Sequence, residues 1–246
     1  MLTMRFTQSR AGQLLLALLF ILGVSWISGE AAQLLLRWRG QKLLADIRTL
    51  HAGRSTWSDT QPIMKKWDSW SVPKGACTEE ACTYQIDVVQ TLTPILVGNP
   101  NGVSKNWIAR FTDHTGLRGS AVRAGFNVRD GIVITRWFGE QVTPPVRDWS
   151  VPDGYVPYVS VSSAESTLFH QINKDQKLLH PHRLAQSKAF YIAVTFSPDE
   201  DSAEQAALMD FDFSCITRFK PCESEGQILP EAFSMWQEQQ LSSPSR

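Results

Sequence analysis

The chain has no excess of charge of either sign: Lys plus Arg and Asp plus Glu number 24 each among 246 residues. Proteins that hold nucleic acid through a global field carry a basic surplus, so no nucleic-acid partner is expected. Phosphate-cradling glycine patterns are missing too. Gly98, Gly102, Gly116, Gly119, Gly125 and Gly131 lie in strand-and-turn sequence, without G-x-x-x-x-G-K or a strand-to-helix G-x-G-x-x-G, and no cofactor is expected. No serine stands in a G-x-S-x-G elbow and no cysteine is placed as a nucleophile, so catalytic residues stay unknown. The chain also lacks an N-x-Ser/Thr acceptor, a repeat of fixed period and a low-complexity tract.

Cysteine is scarce, with four residues, but it falls in two close pairs: Cys77 and Cys82, and Cys215 and Cys222. The spacings C-x4-C and C-x6-C suit local disulfides better than tetrahedral zinc, which favours tighter pairs, and no metal is expected. Neither pair has the C-x-x-C spacing of redox thiols, so the expected role is stability, with three connectivities open.

Against these absences stands one long apolar run. Ala11 to Ser28 reads AGQLLLALLFILGVSWIS without a charge, and at about 1.5 Å per residue it spans roughly 27 Å, enough to cross a bilayer. Trp26 suits the headgroup level at one end, and Arg5 and Arg10 precede the run. Two other readings are a buried core helix and a signal peptide cleaved near Gly29 and Ala31. Retention is favoured because Leu36, Leu43, Leu44, Ile47 and Leu50 continue at helical spacing among Arg37, Arg39, Lys42, Asp46 and Arg48. A cleavage loop would interrupt that continuity.

Orientation draws on two opposed signals. Paired cysteines point to an oxidising compartment for the domain, whereas basic residues after the run, Arg37, Arg39, Lys42 and Arg48, favour the cytoplasmic side. The cysteines decide it, because a short tail before an apolar helix is the usual signal-anchor layout and long domains translocate despite moderate charge. The C-terminal domain is therefore expected in the periplasm or outside the cell.

The resulting organisation is a short tail over 1–10, a transmembrane helix over 11–28, a helical stalk or hairpin over 29–70, a β-rich disulfide-containing domain over 71–240 and a disordered tail over 241–246. Gly53 stops the stalk helix, and Ser55, Thr56 and Ser58 are candidate caps for a second helix through Met64, Trp67 and Trp70. From Thr83 the period changes to two, through Tyr84, Ile86 and Val88. Further apolar stretches cover Asn106 to Thr112 and Ser120 to Val128. Asp130-Gly131, between Phe126–Arg129 and Ile132–Phe138, supplies the two positive-φ positions of a tight hairpin.

Strands are also expected at Tyr155 to Ser162, Ala189 to Phe196 and Met209 to Thr217, with helices at Ser202 to Leu208 and Pro230 to Gln240. The fold class is α+β, mainly β: antiparallel strands in a sandwich-like or curved-sheet domain, with helices at the start and a short one at the C-terminus. The segment Leu50-His-Ala-Gly-Arg-Ser-Thr-Trp-Ser-Asp59 looks like the L-x-x-G-x-[ST] helix-hairpin opening of small outer-membrane assembly lipoproteins of the BamE type. The likeness is confined to that opening. Those proteins carry a lipobox cysteine and none lies near residues 20 to 32 here, so the resemblance implies no family membership.

Of five histidines, His51 lies at a helix end, His114 follows Asp113, His170 stands alone, and His180 and His182 flank Pro181 in what reads as a surface loop. Trp67, Trp70, Trp107, Trp137 and Trp149 suit a core, or an aromatic platform for sugar or peptide. The first reading is a non-enzymatic, membrane-tethered binding or structural module, held in the lipid bilayer through residues 11–28. Two alternatives remain. One is a membrane-anchored hydrolase or metal-dependent enzyme using dispersed residues such as Asp113, His114, His180 and His182. The other is an accessory subunit that meets an envelope protein partner through Leu43 and Ile47 of the stalk.

Overall fold

The structure is a computed structural model that describes residues 10–72, 76–90, 119–142, 159–169, 178–183, 190–219, 222 and 224–242. The expected stretch Asn106 to Thr112 and the tail after Ser242 lie outside them. Helix α1 runs unbroken over Arg10–Arg48, 39 residues, or about 58 Å. Its first half is long and apolar enough to cross a membrane and is almost wholly uncovered by the rest of the chain; Leu14 and Phe20 are each 72% exposed.

The second half of α1 is no free stalk. Leu36, Leu43, Leu44 and Ile47, followed by Leu50, recur at three- and four-residue spacing and are all buried in the domain core. Coverage begins at Gly29, one residue after the charge-free run ends, so the folded part starts where the apolar part stops. Polar ties fix the helix laterally. Asp46 accepts hydrogen bonds from Lys66 Nζ (2.9 Å) and Trp67 Nε1 (2.7 Å), Arg37 Nη1 donates to Thr217 Oγ1 (3.0 Å), and Arg48 Nη2 donates to the Met209 carbonyl (2.6 Å).

The chain turns at Gly53 into α2 (Trp57–Trp67), which Thr56 caps: its backbone N–H donates to Asp59 Oδ2 at 2.7 Å. That reciprocal arrangement satisfies otherwise orphaned amides of the first turn. A 3-10 turn over Asp68–Trp70 follows.

Seven strands form one sheet: β1 (Ser71–Val72), β2 (Ala81–Val89), β3 (Ser120–Arg129), β4 (Ile132–Val142), β5 (Val159–Ser166), β6 (Leu178–Arg183) and β7 (Phe190–Phe196). Their order is β1-β2-β3-β4-β5-β7-β6. Among the described residues there is one sheet, not a pair of stacked ones. The β3–β4 hairpin closes at Asp130 (φ 51°) and Gly131 (φ 77°), as Asp-Gly dictates. Every pairing is antiparallel but β5 with β7, which is parallel because β6 intervenes in sequence and lies outside β7.

Three local expectations are corrected. Met209 to Thr217 is not a strand. Its apolar residues alternate, yet Asp212 accepts from the Ser214 backbone (2.8 Å) and hydroxyl (2.7 Å), which turns the chain into a single helical turn, α4 (Ser214–Thr217). Local side-chain capping outcompetes the ladder there. His180 and His182 are not in a loop but in β6, opposite Ala193 and Tyr191; Pro181 is tolerated because β6 is an edge strand. Of the expected strand Tyr155 to Ser162, residues 155–158 lie outside the described residues, and the rest is strand that runs on to Ser166. Helices α3 (Ser202–Leu208) and α5 (Pro230–Ser242) occupy their expected places, α5 extending two residues into the expected tail.

The core lies between one sheet face and α1, closed by the C-terminal segment. Tyr84 stacks on Phe126 (5.4 Å), and Phe138 meets Phe211 (4.8 Å) and Phe213 (5.7 Å) edge-on. Contacts fix the sheet's direction. Gly40 lies against Val122, Ile47 and Arg48 against Arg136, and Gly53 donates to the Val133 carbonyl at 2.7 Å. The hairpin tip therefore points away from the apolar half of α1. Both cysteine pairs are closed, Cys77 with Cys82 at the start of β2 and Cys215 with Cys222 after α4.

Candidate functional site

β-Alternation gives the sheet two unlike faces. Toward α1 point Ile86, Val122, Ala124, Phe126, Phe138 and Val161, all fully buried. The opposite face carries small residues along its middle: Gly125 stands opposite Trp137, which stands opposite Ala164, and Gly139 lies between Arg123 and Ser162. A sheet face of glycine, alanine and serine is a trough. It forms a half-open groove of about 440 Å³, within the roughly 300–1,000 Å³ of small-molecule sites.

Trp137 is the one aromatic side chain among the described residues of that trough's lining, and it is only partly buried. Its indole lies over Gly125, where an added Cβ would come within 2.8 Å of Nε1 and 2.3 Å of the Tyr84 carbonyl. Gly125 is thus the seat of the ring. Around it stand neutral hydrogen-bonding groups: Gln85 on β2 and Thr195 on β7 lie level with it across the sheet, and Gln141 with its partner Ser160 lies four residues farther along β4. Arg123 is the only cation among the described residues of the lining. Its Nε lies 3.6 Å from Asp87 Oδ2, and Asp87 also accepts from Gln85 Nε2 at 2.7 Å. Both ends of that pair meet solvent, so it contributes little stability but balances the groove's charge.

The inner face holds charge of another kind. Arg136 and Glu165 are paired and almost wholly buried; Arg136 Nη1 also donates to the Ile47 (3.2 Å) and Arg48 (2.8 Å) carbonyls. A guanidinium thereby caps the C-terminus of α1, whose last carbonyls have no intrahelical donor. Burial pulls the Arg136 pKa down, and Glu165 opposes that shift. His51, exposed beside them, is lowered by partial burial and by Arg136.

Glu140, four residues beyond Arg136 on β4, is buried with both carboxyl oxygens unpartnered. Burial, reinforced by Asp212 and opposed by Arg37, holds its pKa well above the usual carboxylate range. Ser120 and Ser163, on the flanking strands, are buried with unpartnered hydroxyls. A polar diagonal thus crosses the inner face.

Comparisons with protein families, curated proteins and solved structures find no match. Of the dispersed acid–base set, His180 and His182 lie on β6, while Asp113 and His114 fall outside the described residues, as does His170. Among the described residues no three His, Cys, Asp or Glu side chains gather as metal ligands would. Of the five tryptophans considered as a platform, Trp67 is buried with its Nε1 on Asp46 and Trp70 lies beneath Arg39. Trp107 and Trp149 fall outside the described residues, which leaves Trp137. Its strand period was legible; of the small residues that open the trough beside it, Gly139 shares its strand and the others belong to β3, β5 and β7.

Leu43 and Ile47 are not a docking surface for a partner. Both are fully buried in this domain's own core.

Proposed function

We propose that this chain is a membrane-tethered binding module, anchored by the first half of α1, with its domain in an extracytoplasmic compartment and its ligand held in the groove on the open sheet face. The groove around Trp137 carries this reading. A sheet face that served only to meet water would have no reason to seat an indole on a glycine between runs of small residues. Two disulfides support the compartment, since such bonds persist where the surroundings oxidise. The apolar half of α1 supports retention as a signal anchor, because cleavage near Gly29 would cut a helix whose continuation fills the core.

Two measurements test it. Non-reducing mass spectrometry of the protein from native membranes should find an intact N-terminus and both disulfides; four free thiols would overturn the extracytoplasmic placement. The full chain, labelled with 5-fluorotryptophan and held in lipid nanodiscs, should respond to a chemically diverse fragment library at the fluorine signal that Trp137→Phe removes. Hits that all act on other tryptophans would overturn the groove as the site.

A second reading, an accessory subunit of an envelope assembly, has its own observation. Leu34, Leu35 and Trp38 are exposed on α1 just beyond the apolar run. Replacing them with Gln should release a co-purifying membrane protein if that reading holds.

A further inference from the structure

We infer that the groove takes a neutral saccharide, one ring of which packs on Trp137. The inference rests on the groove being the binding site and names its ligand class from three features of the lining.

The first is the mixture of one aromatic plane with many small neutral groups. A pyranose ring has an apolar C–H face and a rim of hydroxyls, so it wants an aromatic surface below and donor–acceptor groups around. Trp137 supplies the surface. Gln141 and Ser160 flank one end of the groove, paired across β4 and β5, and Thr195 stands on β7 beyond Ala164. Amide and hydroxyl side chains both donate and accept, as sugar hydroxyls do, whereas carboxylates or ammonium groups would impose one role.

The second feature is charge. Among the described residues Arg123 is the single cation of the lining and faces Asp87, so they offer no uncompensated positive charge to a phosphate, sulfate or carboxylate. The third is position. The groove lies in the middle of the sheet, across β2 to β7, while the free edges are β1 and β6. An extended peptide gains its affinity by adding to an edge strand, and no unpaired backbone is on offer in the trough. An acyl chain would leave the Ser160 and Thr195 hydroxyls covered and without partners.

The test uses the full chain in nanodiscs and the Trp137 fluorine signal. Separate titrations would use maltotriose, cellotriose and N,N′,N″-triacetylchitotriose, with a neutral tripeptide, inorganic phosphate and octanoate as contrasts. At least one trisaccharide should shift the signal saturably. Gln141→Ala and Ser160→Ala should each weaken that binding several-fold, and Trp137→Ala, which lacks the fluorinated indole and is followed by titration calorimetry beside the wild type, about tenfold or more, as loss of a stacking partner implies. A saturable shift with tripeptide, phosphate or octanoate but no trisaccharide would overturn the saccharide and leave the groove as a site. Silence toward every probe would also overturn the saccharide, and a fragment screen that is silent at Trp137 as well would remove the groove with it.

Discussion

Along β4, Arg136, Phe138 and Glu140 face α1 and the C-terminal segment, whereas Trp137, Gly139 and Gln141 face the groove. The first set is buried to the last few per cent and includes two ionisable groups; the second is only partly covered and is mostly small or neutral. One strand therefore carries two different design pressures. On the inner side, substitution should cost folding free energy. On the outer side it should change what the face can hold while leaving the fold nearly intact.

The sharpest break of that contrast is Arg136→Met. It leaves Glu165 buried without its counter-charge and uncaps α1, and should cost about 3–5 kcal/mol in denaturant unfolding of the full chain in micelles. Cys215→Ser with Cys222→Ser comes next. Loss of a short closed loop accounts for about 2 kcal/mol, and both residues sit in the core, so their unfolding midpoint should fall below that of the Cys77→Ser, Cys82→Ser pair. Gly125→Ala tests whether the outer face has one structural point of its own. The new methyl would strike the Tyr84 carbonyl and the indole, costing about 1–3 kcal/mol and shifting the Trp137 fluorine signal.

Glu140→Gln should reveal a slope instead of a step. The folded-state pKa of Glu140 lies above its unfolded value, through burial and Asp212 against the opposing Arg37. Its contribution is therefore fully present below the unfolded pKa and is lost as pH rises toward the folded one. Unfolding free energy of the wild-type chain should lose about 1.4 kcal/mol per pH unit within that interval, and the glutamine variant should be flatter by that amount. Equal slopes in the two proteins would show that Glu140 is ionised in the fold. The smallest effect belongs outside: Ser160→Ala should shift stability by no more than about 0.5 kcal/mol, whatever it does to binding.

Much of this contrast was legible in the sequence where the signal is local. Asp130-Gly131 between two alternating runs defines a hairpin, Thr56 among its neighbouring serines marks a helix start, and Ala11 to Ser28 defines a bilayer-length run. What escaped depends on residues far apart in the chain. The alternation of Met209, Phe211, Phe213 and Cys215 imitates a strand, and only the Asp212 side chain's grip on Ser214 breaks it. Pro181 reads as a loop unless β6 is known to lie at the sheet's edge. The parallel β5–β7 pairing follows from where β6 lands, which no period encodes. Arg136 and Glu165 look like ordinary solvated charges until α1, 88 residues upstream at Arg48, is laid across them.

For the candidate site, the sequence offered Trp137 as one tryptophan among several. The trough needed the register that sets Gly125, Gly139 and Ala164 side by side.

The unbroken helix α1 gives the groove a compass bearing. Because no hinge separates the apolar half from the half that is locked into the sheet, the direction in which Trp137 looks is fixed about the helix axis by residue count alone. One extra residue inserted between Ser28 and Gly29 would rotate the domain by about 100° and lift it by about 1.5 Å. With the apolar half held in a membrane, as proposed, anything else sharing that membrane would then meet a different side of the molecule, with every contact inside the domain unchanged.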